Sequence, residues 1–211
     1  MKSDDVVGRL AKPSLMARLF GASRTPLRLV AVPRDHVVGD RARGDALLAG
    51  RLLLGAETIN LAEVDFAALG TQSPLAREIQ GFAWLRDLAA AASRDQGARL
   101  AEAIAGRWLI AHGTRIDDAW AGELWGSRIL FWTAYAPYIL SSRDAGYRSA
   151  LLNTLARAAK HLAATADKAA PGLPRITAWA GVVTAALTMQ GGLSWLSRGE
   201  SGLMRALASA Q

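Results

Sequence analysis

The 211-residue chain is 51% apolar, has no cysteine and carries a formal charge of +7 that is nearly all arginine, its only lysines being Lys2, Lys12, Lys160 and Lys168. That length and apolar fraction suit one globular domain with or without an arm, and the absence of cysteine excludes a disulfide framework, a thiolate nucleophile and cysteine-ligated zinc. The basic excess favours anionic partners such as acidic polysaccharide, nucleic acid or a lipid headgroup surface; no cluster of five or more basic residues occurs, so coding bias in an alanine- and arginine-rich chain is the competing reading, and nucleic acid is not among the expected partners.

The opening "MKSDDVVGRLAKPSLMARLFG" has early acidic residues and no uninterrupted apolar stretch of signal-peptide length, so the sequence as it stands reads as cytoplasmic. A short amphipathic helix is expected around "LAKPSLMARLF", followed by the extended, proline-marked "TPLRLVAVPRDHVVGD". A helix is expected over residues 40–49, then a strand or extended arm in "GRLLLGAETI". Residues 1–70 thus read as an irregular N-terminal arm leading into a helical domain over 71–211.

From there the pattern is helical throughout. "SPLAREIQGFAWLRDLAAAA" places Ser73 as a cap, Pro74 in the first turn and Leu75, Ile79, Phe82, Trp84, Leu85 and Leu88 at helical spacing. "SRDQGARLAEAIAGRWLIAHG" follows, with Ser93 and Gln96 as a capping box and Gly113 as its stop. "DDAWAGELWGSRILFWTAYAPYILSS" carries its tryptophans to a break at Pro137. "RDAGYRSALLNTLARAAKHLAATADKA" buries Tyr147, Leu151, Leu155 and Leu162. The stretch "GLPRITAWAGVVTAALTMQGGLSWLS" is too short before Gln190, Gly191 and Gly192 for the roughly 20 apolar residues of a membrane span, and Pro174 suits a helix first turn, so it reads as a buried helix. A last helix is expected from near Arg198, opened by a Ser197/Glu200 capping box. Six helices with short breaks predict an all-α fold of stacked antiparallel hairpins, as in a bundle, a solenoid or an α/α toroid.

Chemistry is sparse. His36, His112 and His161 are far apart and none stands at metal-ligand spacing, so neither a metal nor a cofactor is expected, and no nucleophile elbow or phosphate loop occurs. The most chemical segment is "WAGELWGSRILFW", where Trp120, Glu123, Arg128 and Trp132 set an aromatic wall beside a carboxylate and a guanidinium, suited to a sugar cleft. The competing reading puts the tryptophans in the core with the two charges in solvent.

The succession "GDRARGDALLAGRLLL", "IQGFAWLRDLAA", "ELWGSRILFWTAYAPYIL", "LARAAKHLA" and above all "GLPRITAWAGVVTAAL" resembles the amino-terminal helical region of bacterial heparinase II/III-like polysaccharide lyases, from about residue 38 onward. The resemblance implies a partial α/α toroid, continued in complete members by further helices and a β-sheet domain, and cleavage of uronate-containing glycans by β-elimination; related lyases are often periplasmic. It also implies an Asn-His pair at the start of the helix that here begins Pro174-Arg175, and a Gly-Gly-His segment, an Arg-Ser-Pro and a Tyr beyond a helix like "SGLMRALASAQ". The expectation is a toroid portion inactive alone, with no catalytic residue of its own, with Trp120, Glu123, Arg128, Trp132 and Arg175 bordering a substrate cleft, and with self-association or a missing C-terminal β-domain covering its open face. The alternative expectation is a noncatalytic helical-repeat module that binds an acidic partner through scattered arginines.

Overall fold

The computed structural model describes residues 27–210; the amphipathic helix expected around residues 10–20 lies outside them. The described chain is mostly helical, with nine α-helices and one β-hairpin. Helix α1 (Arg41–Leu48) starts at Asp40, whose carboxylate accepts the Ala42 and Arg43 amides, as N-caps do. The expected extended segment is a hairpin, β1 (Arg51–Leu54) antiparallel to β2 (Glu57–Asn60), turned at Gly55. Leu47, Leu52, Leu61, Val64 and Phe66 join the same core cluster as the helices that follow.

The expected helix from Ser73 to Ala92 is two helices, α2 (Pro74–Gly81) and α3 (Trp84–Ala91), separated by Phe82 at a left-handed φ of 64°. A continuous helix would have bonded the Gln80 and Gly81 carbonyls along its own axis. Instead Arg128 Nε donates to Gln80 O at 2.5 Å and Ser127 Oγ donates to Gly81 O at 3.1 Å. Side chains of another helix thus satisfy the groups that the bend leaves open, and the Phe82 ring is fully buried among tryptophans.

Helix α4 (Arg94–His112) has the expected Ser93/Gln96 capping box and ends at Gly113. A 3-10 turn (Asp118–Trp120) leads to α5 (Gly122–Ala134), and Pro137 falls in the first turn of the short α6 (Ala136–Ile139). The long α7 (Ala145–Thr165) starts at Asp144; α8 (Leu173–Thr188) follows Gly172 and carries Pro174 in its first turn. The last helix, α9 (Leu196–Ala208), begins before Ser197, which makes no capping bond; the turn Gly192–Trp195 already supplies the start that the capping box was expected to supply. Among the described residues no helix is long and apolar enough to cross a membrane.

Helix α5 is the centre, packed against α2, α6, α7 and α8, while α8 lies between α5 and α9. Glycines permit the close α5–α8 crossing: a Cβ on Gly126 would stand 2.1 Å from the Thr177 carbonyl, and one on Gly181 would stand 2.6 Å from Gly126 Cα. The extended segment before α1 is stitched to the far end of α8, Val30 N–H donating to Thr188 O and Gln190 N–H to Arg28 O.

The α5–α8 crossing can be tested with paired substitutions. Gly126→Ala forces backbone apart and is expected to cost about 1–3 kcal/mol by denaturant unfolding. Gly106→Ala on α4, whose added methyl meets Tyr147 only at 3.8 Å, is expected to be neutral or stabilising by up to about 1 kcal/mol through helix propensity. Equal effects at the two sites would contradict the crossing.

Candidate functional site

A cleft of about 600 Å³ opens where the first turns of α5 and α8 meet the length of α2. Its lining is mixed, with apolar Leu54, Pro74, Leu124 and Pro174 beside polar Arg77, Glu78, Glu123, Ser127 and Thr177. An apolar lining with a few polar groups among it is the usual form of a small-molecule site. Neither α5 nor α8 has a side-chain N-cap; at α8 Pro174 has no N–H and the Arg175 amide donates to Ala170 O at 3.1 Å, so it is the first turn of α5, which holds Glu123, that presents unpaired amides beside the cleft.

The charges in the lining are paired. Arg77 Nη2 lies 3.3 Å from Glu123 Oε1. Arg43 joins Glu78 at 2.7 Å to the buried Asp87 at 3.1 Å, and Asp87 Oδ1 accepts the Asp40 amide, tying α1 to α3 behind the cleft.

The residues expected to border a sugar cleft divide. Glu123 lines it. Trp120, Arg128 and Trp132 do not: their relative exposures are 2%, 0% and 0%. Arg128 is sandwiched between the faces of Trp108 and Trp125, its Cζ 4.3 and 4.6 Å from the ring centroids, and its Nη2 donates to Ala119 O at 2.5 Å. The physical reason lies in the spacing Trp125, Arg128, Trp132, which puts the guanidinium on the tryptophan face of α5; burial then pushes its pKa well below the usual arginine value, against the opposing charge of Asp117. Arg175 also leaves the cleft, its Nε and Nη2 both donating to Ala169 O at 3.0 and 2.8 Å, which pins the start of α8. No tryptophan is among the lining residues, so the expected stacking wall is replaced by leucine and proline surfaces.

Arg77 was not singled out by the sequence reading. It sits 46 residues from its partner Glu123, and only the packing of α2 against α5 brings the two together. The histidines offer no general base to the cleft. His112 is buried, with Nδ1 2.9 Å from Asp117 Oδ2 and Nε2 2.7 Å from Phe66 O, so both ring nitrogens are engaged. His161 packs edge-on to Trp120 at 5.8 Å, and burial together with Lys168 lowers its pKa. Among the described residues no group of three or more His, Asp or Glu converges as a metal site would require.

A second concavity, of about 300 Å³, lies under the N-terminal segment, between Pro33, Asp35, Arg86, Phe131 and Thr184. Here Asp35 accepts from Arg86 Nε at 2.8 Å and from Tyr135 Oη at 2.9 Å. Burial works against the Asp35 charge, but the bonds from Arg86, the Val37 amide and Tyr135 outweigh it and lower its pKa; burial and the Asp35 charge raise that of Tyr135.

No family model matches the sequence, and no curated protein and no solved structure matches the chain.

The Asp35 clamp has a definite acid response. A carboxylate whose pKa is lowered on folding contributes stability that is present above its unfolded value, about 3.9, and is lost as pH falls through the folded value. Asp35→Asn is expected to cost about 1 kcal/mol at neutral pH and to speed exchange of the Val30 amide. Acid denaturation should then begin at the same pH in variant and parent only if the clamp is absent.

Proposed function

We propose that the chain is the glycan-holding helical portion of a heparinase II/III-like polysaccharide lyase, a partial α/α toroid that seats a uronate-containing chain between α2, α5 and α8 and does not itself carry out β-elimination. The supporting observation is the position of the cleft. It is lined by Leu173, Pro174 and Thr177, the opening of "GLPRITAWAGVVTAAL", which carries most of the resemblance and stands where the family's Asn-His pair would be.

Elimination beside a uronate carboxylate requires that carboxylate to be neutralised, the adjacent proton to be taken and the departing glycosidic oxygen to be protonated. The lining residues include no histidine, tyrosine or asparagine, the residue types to which these roles fall in the family. What remains is binding: an arginine in the lining, the N-terminus of α5 beside it and leucine and proline surfaces for the sugar ring. The rival reading, a repeat module recruiting an acidic partner through scattered arginines, draws on the same net charge. Several of those arginines are engaged inside the fold, Arg107 on the Leu61 and Val64 carbonyls, Arg157 on Gly113 O and Arg128 and Arg175 as described, which favours the localised cleft.

Titration with alginate or heparan sulfate oligosaccharides is expected to give weak binding that falls as salt rises, since exposed charges are screened over about 10 Å at 0.1 M, with no rise in absorbance from an unsaturated product. Turnover that disappears in His112→Ala or His161→Ala would overturn the noncatalytic reading. Self-association, or a β-domain beyond this sequence, is part of the same proposal, because Leu187, Leu193 and Met204 are 51%, 70% and 66% exposed around α8 and α9. Light scattering at micromolar concentration is expected to report more than the monomer mass; a clean monomer would remove self-association from the proposal.

A further inference from the structure

We propose that Arg77, latched to Glu123 across the cleft, is the residue that reads a substrate carboxylate, Glu123 holding its place until the ligand's own carboxylate displaces it. This rests on the reading of the cleft as a glycan site and adds to it the group that distinguishes an acidic sugar from a neutral one.

The inference starts from how the guanidiniums are used. Arg43 bridges two carboxylates, Arg86 forks onto both oxygens of Asp35, and Arg128 and Arg175 are committed to backbone carbonyls. Arg77 differs. Its contact with Glu123 is through one nitrogen and one oxygen at 3.3 Å, and its side chain is 46% exposed in the cleft lining. A guanidinium presents a planar fork that matches a carboxylate through two parallel bonds, and a single long contact leaves most of that capacity unspent.

Glu123 is equally suited to being displaced. It stands in the first turn of α5, which has no side-chain cap, so on release from Arg77 its carboxylate stays beside unpaired helix amides and the positive end of the helix. The exchange therefore replaces one carboxylate on Arg77 by another and strands no charge in an apolar place. The nearby Glu78 does not compete for Arg77, because it is held by Arg43 at 2.7 Å. A neutral sugar has nothing with which to displace Glu123, and it meets only the apolar lining and Ser127 and Thr177.

The test uses the full chain with two probes of equal length, a mannuronate tetrasaccharide and neutral mannotetraose, binding followed by calorimetry and by the Arg Nε–H resonances. The parent is expected to prefer the acidic probe about tenfold, the range of a charge-assisted bond, with the Arg77 resonance shifting. Glu123→Gln removes the competitor and should raise the ratio of acidic to neutral binding about two- to fivefold, the worth of an exposed ion pair. Arg77→Gln should abolish the preference, and Arg77→Lys should restore only part of it. Thermal unfolding of each variant separates these effects from loss of fold. Acidic and neutral probes that bind alike in parent and Arg77→Gln would overturn the role of Arg77 while leaving a glycan cleft in place; no binding of either probe to the parent or to Glu123→Gln would overturn both.

Discussion

The structure turns on a guanidinium that has no carboxylate bonded to it. Arg128 is fully buried in the middle of α5, and removing such a charge from water is costly. Two backbone carbonyls and two indole faces offset that cost, Gln80 O and Ala119 O accepting at 2.5 Å each while Trp108 and Trp125 cover the plane. These contacts are also what permits the chain to bend at Phe82. With the Gln80 carbonyl taken by Arg128 and that of Gly81 by Ser127, α2 can leave the line of α3, and Gly81 and Ala83 at the bend become part of the cleft wall.

The same neighbourhood closes on itself. The Gln80 side chain accepts from Trp108 Nε1 at 2.7 Å and donates to Gly70 O at 3.2 Å. Asp117 engages His112 and caps the 3-10 turn through the Ala119 amide, while Trp120 donates to His112 O. The network is not complete, since Arg128 Nη1 and the Trp125 and Trp132 indole nitrogens are buried without a hydrogen-bond partner, and each such group carries a desolvation cost that the surrounding packing has to offset. The side chains at the cleft mouth are held less firmly, Arg77 by a single 3.3 Å contact with Glu123.

Local signals were the ones that could be read in advance. Ser73, Ser93 with Gln96, Gly113, Pro137 and Pro174 marked helix ends correctly because caps and breakers act within a turn or two. The bend at Phe82 was not legible, since the groups that make it affordable come from residues 127 and 128, and nothing in "IQGFAW" reveals them. Ser197 failed as a cap for a related reason, the preceding turn having already begun the helix. In the cleft lining, Glu123 stands where the sequence places it, whereas the Arg77 contact with it has no sequence signal, because an ion pair across 46 residues leaves no periodic trace. Arg128 lies in the core and not in the cleft because its spacing from Trp125 and Trp132 puts it on their face of α5, and that position outweighs its charge.

The central claim, that Arg128 holds the bend beneath the cleft, is tested most directly by equilibrium denaturant unfolding of Arg128→Met. The side chain keeps much of the apolar stem but leaves two buried carbonyls without donors, each worth about 1–3 kcal/mol. A loss of at least about 2 kcal/mol is the expected result. A variant within about 0.5 kcal/mol of the parent would contradict it, showing that the bend stands without the guanidinium.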